Sequence, residues 1–424
     1  VGIILLFGEQ PAPPSAVGYM PDLLVEFDRD DLIEFGFILD HPTKSLLDSG
    51  NTLDRVTTIT WDEDITEFAR SGSTARGADR ELQRTEAGTG HIVLDNRDGR
   101  FTPFNVASPY YPDILPLKRI RIQAIWQEIT YPVFTGYVES WPVSFPAQGD
   151  NVVTVQLVDG LKLLAQIVVS GSFAQQNTGQ RIEAVLLAAG FAPSEMDIDL
   201  GVSTVAAATL ENANVLEHIQ LMAQVEHGRF FVSRIGQFVF VDRGTQGQPD
   251  LSTRTWADDG TGMSYKDVTF VFDDSLILND VRLTREGGME QVASDGVSAQ
   301  QYGTHSLVQT GLPLSNDAQV LDLAERYRDR YAQPELRIEG LVDNAMQHRL
   351  WEQVLPREMG DVVSVKESET DIAQVSATEG IAHDFDFQAK TWIVSLRVSP
   401  TVVENYARLD DPAFRLDDNF ILGR

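Results

Sequence analysis

The side chains best suited to metal ligation or proton transfer near neutral pH are seven histidines: His41, His91, His218, His227, His305, His348 and His383. No two of them stand in the His-Glu-x-x-His spacing that sets two ligands and a base on one helical face. His218 and His227 are nine residues apart, about two and a half helical turns, which puts them on adjacent rather than stacked positions. His383-Asp384-Phe385-Asp386 offers an imidazole and two carboxylates to a cation, but the polar side of a solvated strand explains the alternation more simply. Asp95-Asn96-Arg97-Asp98-Gly99 has the outward form of a calcium loop. It lacks the spaced carboxylates and the closing glutamate, so it reads as a tight turn. Arg76, Arg80 and Arg84 could cradle a phosphate, with charges on a solvated loop as the plainer reading.

Nucleophilic and nucleotide chemistry find less support. Cysteine is absent, which removes disulfides, thiolate nucleophiles and cysteine metal sites together. Ser71-Gly72-Ser73 and Ser170-Gly171-Ser172 read as turns, and no Gly-x-Ser-x-Gly elbow occurs. There is no phosphate-binding loop and no strand-to-helix Gly-x-Gly-x-x-Gly. With 63 acidic residues, two carboxylates at glycosidase separation can always be imagined, so their abundance says nothing. The sequence nominates no catalytic, cofactor-binding or metal-binding residue, and no cofactor. Against 33 basic residues the acids give a formal charge of −30, which opposes tight non-specific nucleic-acid binding. The charge suits solubility and colloidal repulsion, or an acidic conduit through which DNA slides without sticking.

The elements that would have to position any site are mostly strands. Ile92 to Leu94 is an apolar run of buried-strand length ending in the Asp-Asn-Arg-Asp-Gly turn, and Arg119 and Arg121 alternate with Ile120 and Ile122. Val133 to Val138 follows about one hairpin later, so residue pattern alone gives an antiparallel sheet or barrel. Val153, Val155 and Leu157 share a strand face that Asp159-Gly160 terminates. Between them, Gly88-Thr89 with Leu94-Asp95-Asn96-Arg97-Asp98-Gly99-Arg100-Phe101-Thr102-Pro103, the basic strand from Leu117, and Phe134-Thr135-Gly136-Tyr137-Val138 resemble the first barrel of the tail-hub family. These are minor tail or baseplate-hub proteins of long-tailed bacteriophages, related in fold to the base of type VI secretion spikes. Trp61 to Arg70 resembles the opening of that barrel.

Later segments extend the resemblance. Ile182, Val185, Leu186 and Ala189 form one face of a helix bracketed by Thr178 and Gly190, and Asn214 to His227 forms a second that stops at Gly228. Arg229 to Ser233 and Gln237 to Val241 flank a glycine-bearing turn, which predicts a hairpin. The run Glu226 to Phe240 with Arg243 closely resembles the corresponding small α/β module of the hub family. Ser264 to Phe272 and Ile277 to Thr284 look like strands of the family's second barrel. Ser315 is placed to cap a helix striped by Val320, Leu323, Ala324, Tyr327 and Tyr331, and Trp392, Val394, Leu396 and Val398 alternate inward on a final strand. The fold expected is mainly β with α+β insertions: two β-barrel domains of tail-hub type plus a small α/β module. The division expected is an N-terminal arm (1–48), a first barrel (49–165), the small α/β domain (166–245), a second barrel with an inserted helix (246–400) and an extended tail (401–424).

The ends carry weaker signals. Gln10 to Ser15 is a proline-rich linker, and the apolar run Ile3 to Phe7 is halted by Gly8 and Glu9, too short to span a membrane. A chain starting at Val1 points to processing or an incomplete N-terminus. Near the other end, Arg408 to Phe414 and Arg415 to Phe420 form a short repeat, read as an extended tail docking on a neighbour or as a disordered acidic end. The resemblance implies a structural, non-enzymatic protein of the virion: a homotrimeric ring at the phage tail tip that joins the tail tube to the tip or fibres and surrounds the DNA-ejection channel. Its implied partners are a distal tail or tail tube protein, the tape-measure protein and fibre or tip proteins, with DNA passing unbound. A tail-associated cell-wall hydrolase or carbohydrate-binding protein is the alternative, and it predicts a deep cleft with two facing carboxylates or an aromatic platform.

Overall fold

A computed structural model describes residues 20–28, 61, 63–78, 80, 82, 84–146, 150–245, 254–343, 351–401, 406–407 and 421–422. Six antiparallel strands follow one another in the sheet: Ala69–Gly77, Thr89–Asp95, Val152–Val158, Ile129–Ser140, Arg119–Trp126 and Asp22–Phe27. The path then returns on itself. Glu63–Asp64 pairs with Phe27 and Glu26, Ile65 donates its N–H to the Val25 carbonyl at 2.9 Å, and the chain runs through a short 3-10 turn into Ala69. Sequence dictates which face turns inward. Ile120, Ile122, Ala124 and Trp126 are buried while Arg121, Gln123 and Ile125 lie between them, the period of two that a half-buried strand requires.

A second six-strand path repeats the arrangement: Arg254–Ala257, Val362–Glu367, Ile372–Asp386, Thr391–Pro400, Arg337–Asp343 and Tyr265–Val271. Its first pairing is parallel and the rest are antiparallel. Here too the ends meet, since Ala257 donates to the Met263 carbonyl (2.8 Å) and Met263 to that of Thr255 (2.9 Å) just before the last strand begins. Trp256, Trp351 and Trp392 fill its interior. The two cylinders are fused edge to edge, because the far half of Ile372–Asp386 pairs antiparallel with Ala69–Gly77. At that seam Gly72 stands opposite Phe385 on one side and Ile92 on the other, and a Cβ there would lie 2.8 Å from the Phe385 ring. Glycine is what lets the strands close over that ring.

A second core lies outside the cylinders. Helices Thr178–Ala188 and Val215–Glu226 pack on the hairpin Arg229–Val232/Phe238–Val241 through Ile182, Val185, Ile219, Met222 and Phe230. The Asn177 capping box with Gln180 starts the first helix; the Asn214 side chain accepts from Glu217 N–H to start the second, and His227 ends it at φ 55. Residues expected in the second cylinder join this core instead. Asp280–Arg285, Gln291–Ser294 and Ser306–Leu312 form a separate three-stranded sheet, and helix Asp317–Tyr331 packs its stripe against it. The resemblance of Ile277 to Thr284 to a strand of the second barrel fits a strand here, but a local likeness carries no label for the sheet the strand enters. That helix is capped by Asn316, whose side-chain Oδ1 accepts from Gln319 N–H, and not by Ser315. The arm and tail signals at 1–19, 29–60 and 408–420 lie outside the described residues, as do His41 and His348; Tyr406–Ala407 pairs in parallel with Ile421–Leu422.

Candidate assembly interface

Beyond Asp95 the chain forms a long ordered loop with no regular structure. It is wound by backbone turns that repeat every three residues: Gly99 donates to Asn96, Thr102 to Gly99, Asn105 to Thr102, Ser108 to Asn105 and Tyr111 to Ser108, all at 2.9–3.2 Å. Buried Asn96 accepts from Phe101 N–H at 2.9 Å, and the Asn105 amide donates to the Gly99 carbonyl at 2.9 Å. Phe101 anchors the loop, stacked on Tyr110 (5.4 Å between centroids) and Trp141 (6.4 Å). Asp95 pairs with Arg97 and Asp98 with Arg100 inside the loop, so the tip is locally neutral in a strongly acidic chain. The expected tight turn at Asp95 to Gly99 is present, with Gly99 at φ 75. This scaffold holds apolar side chains out in water: Phe104 is 91% exposed and Val106 76%. Exposed apolar groups on a pinned loop make it a candidate contact surface.

The arginines singled out in the sequence do not converge. Arg76 shares the inward phase of Gly72 and Thr74 and is buried, donating to Glu358 of the second cylinder (2.8 Å) and to the Val232 carbonyl of the hairpin (3.2 Å). It is a pin between three parts of the fold and not a loop charge. Arg80 reaches Ser275 and Arg84 reaches Gln224, each at 3.4 Å. Glu358 also accepts from Arg234 N–H (2.9 Å), and Arg229 pairs with Glu379, so the module is fastened to the cylinders by charge-assisted bonds. Asp159 lies nearby with one oxygen on Gly88 N–H (2.7 Å) and the other on Leu161 N–H (2.9 Å); burial pushes its carboxyl up to about 7.

The described histidines do not converge either. His383 is not on a solvated face: it points inward, accepts from Trp392 Nε1–H at 3.2 Å, and burial together with the Arg76 charge pulls it down to about 3. His218 and His227 face different neighbours. Burial and then Arg181 lower the first to about 4, while the second, also lowered to about 4 chiefly by burial, lies 5.0 Å from the Tyr327 ring. His91 meets Ser73 Oγ at 3.0 Å, and His305 meets the Tyr302 carbonyl at 3.2 Å. Among the described residues no group of three or more His, Asp or Glu is placed to hold a metal ion.

Two recesses bear on chemistry. One, at the end of the first cylinder, is bordered by Glu67, Arg70, Asp95, Arg97 and Asp150. Arg97 and Arg70 hold the Asp95 carboxyl far below the usual carboxylate range, the reverse of the raised group that a glycosidase acid needs. The other, a cavity of about 280 Å³, lies where the module meets the cylinders and is lined by Ala223, Phe231, Leu278, Leu307 and Tyr327 with Arg84 at its rim. Sequence gave no sign of either, since both are assembled from segments far apart in the chain. No described helix is long and apolar enough to cross a membrane.

Comparison with known proteins points one way. No family model matches the chain, and no curated protein matches it in sequence. Among solved structures it is similar to the 43 kDa tail protein of prophage MuSo2 from Shewanella oneidensis (TM-score 0.52, 13% identity, covering 78% of this chain and 94% of that one). It is similar also to the tail protein from Neisseria meningitidis MC58 (TM-score 0.52, 13% identity, 78% and 96% covered). The chain has the mainly β tail-hub fold that its sequence resembles, and at this identity the likeness is one of fold.

Proposed function

We propose that the chain is a structural, non-enzymatic component of a long-tailed bacteriophage virion, located at the tail tip. Three copies form a hub ring that joins the tail tube to the tip or fibres and surrounds the channel for DNA ejection. The observation that carries this is the duplication: two six-strand paths, each returning on itself, are fused in one polypeptide. Three such chains present six similar units, which is the geometry needed to meet a six-fold tube on one side and a three-fold tip on the other. The division that goes with it is an arm at 1–48 that lends its strand Asp22–Phe27 to the first cylinder, cylinders at 49–165 and 246–400, a small α/β domain at 166–245 and a tail at 401–424, with the inserted segment of the second cylinder docked on the α/β core. Partners at the ring would be a distal tail or tube protein, the tape-measure protein inside and fibre or tip proteins outside. Three copies carry a formal charge of −90, three times −30, which suits a lumen that DNA traverses without sticking. Native mass spectrometry of the purified chain tests the reading: a species near 141 kDa, three times 47.0 kDa, supports it, and a persistent monomer at tens of micromolar counts against it.

A further inference from the structure

The exposed tip at Phe104 and the cavity at the module junction are complementary in kind. Phe104 and Val106 stand out on a loop that its own hydrogen bonds and the Phe101 stack hold in shape, so docking them costs little ordering. The cavity of about 280 Å³ has apolar walls from Ala223, Phe231, Leu278, Leu307 and Tyr327 and polar ones from Gln220, Gln224, Gln309 and the Arg229–Glu379 pair, and in size it exceeds the roughly 150 Å³ that accepts a benzene ring. Arg84 at its rim is exposed, forms no ion pair among the described residues, and could lie over an incoming aromatic face. The loop tip is neutral because Asp95 and Asp98 are paired with Arg97 and Arg100, so it can approach another acidic chain where most of the surface cannot.

The two features cannot meet within one molecule. Strand Thr89–Asp95 leads from the cavity side, at Thr85, to the loop side, and its seven residues span about 24 Å at ~3.4 Å each. We propose that the Phe104 loop of one copy inserts into the junction cavity of the next, a head-to-tail contact between identical chains. Such a heterologous contact closes into a ring when the rotation per step permits. The occupant being a second copy, this rests on the reading of the chain as self-assembling.

The chain's lack of cysteine makes the test clean. A Phe104→Cys copy is mixed with a Gln224→Cys copy, position 224 lining the cavity, and treated with a short bis-maleimide, while sedimentation compares association of the wild-type chain with Phe104→Ser and Arg84→Glu. Expected are a mixed cross-link between the two variants and association at least tenfold weaker for Phe104→Ser, with Phe272→Ser, another exposed phenylalanine, unchanged. If the wild-type chain forms trimers that Phe104→Ser leaves intact and no mixed cross-link appears, the loop contact is wrong and the hub reading stands. If the wild-type chain remains monomeric, both are overturned.

Discussion

Replacing His383 by Asn should trade stability at neutral pH for resistance to acid. The imidazole is buried, is neutral in the fold, and accepts a hydrogen bond from the Trp392 indole at 3.2 Å. Asn places an amide oxygen near the same point and cannot be protonated, but it leaves part of the ring's volume empty. A loss of about 1–3 kcal/mol at pH 7.5 follows from that void. The folded-state pKa of about 3 lies below the ordinary 6.5, so the stability tied to the neutral ring is complete above pH 6.5 and is lost as pH falls toward 3. At pH 5, about 1.5 units below the ordinary value, the wild-type chain has lost about 2 kcal/mol from this group alone. Asp159 acts with the opposite sign, its raised pKa favouring the fold at low pH, but it is common to both chains and cancels in the comparison. Urea unfolding of both chains at pH 7.5 and 5.0 measures the difference. The gap between them should narrow, or reverse, by about 2 kcal/mol on acidification. A gap that stays constant would refute the assignment of His383 as a neutral core acceptor.

Two further substitutions probe the joints. Gly72→Val should destabilise by about 1–3 kcal/mol or more, since the new side chain meets the His91 carbonyl and the Phe385 ring; an unchanged melting temperature would mean that the cylinders are not fused at this strand. Arg76→Met should cost about 3 kcal/mol by leaving Glu358 without its guanidinium, and limited proteolysis should then release the 161–245 region sooner; equal cleavage rates would show that Arg76 does not hold the parts together.

How much the sequence disclosed depends on how local each signal is. Strand faces at Arg119–Trp126 and Thr391–Pro400 and the helix ends at Asn214 and His227 follow from neighbours a few residues away, and the structure has them where pattern puts them. Placement of Asp280–Arg285 depends on partners at Gln291–Ser294 and Ser306–Leu312 and on the core beneath, so the resemblance that put Ile277 to Thr284 among the second barrel's strands did not foresee its separate sheet. Arg76 looked like a loop charge because its partner Glu358 is 282 residues away, although its phase with Gly72 and Thr74 was a usable hint of an inward position. His383 was misread for a similar reason: it alternates with Asp384, but it is the histidine that shares the face of Phe385. The loop proposed as a contact is the least legible, because it resembles any turn-rich stretch until its hydrogen bonds show that it is wound into one shape with Phe104 and Val106 outward.

On the proposed reading, two fused cylinders let three chains imitate a hexagon. Particle imaging of the purified full-length chain, reconstructed without imposed symmetry, tests it most directly. Three chains around an open lumen, with six cylinders at similar radius and alternating identity, is the predicted result. A monomer, or an oligomer whose cylinders do not surround a common axis, would contradict it.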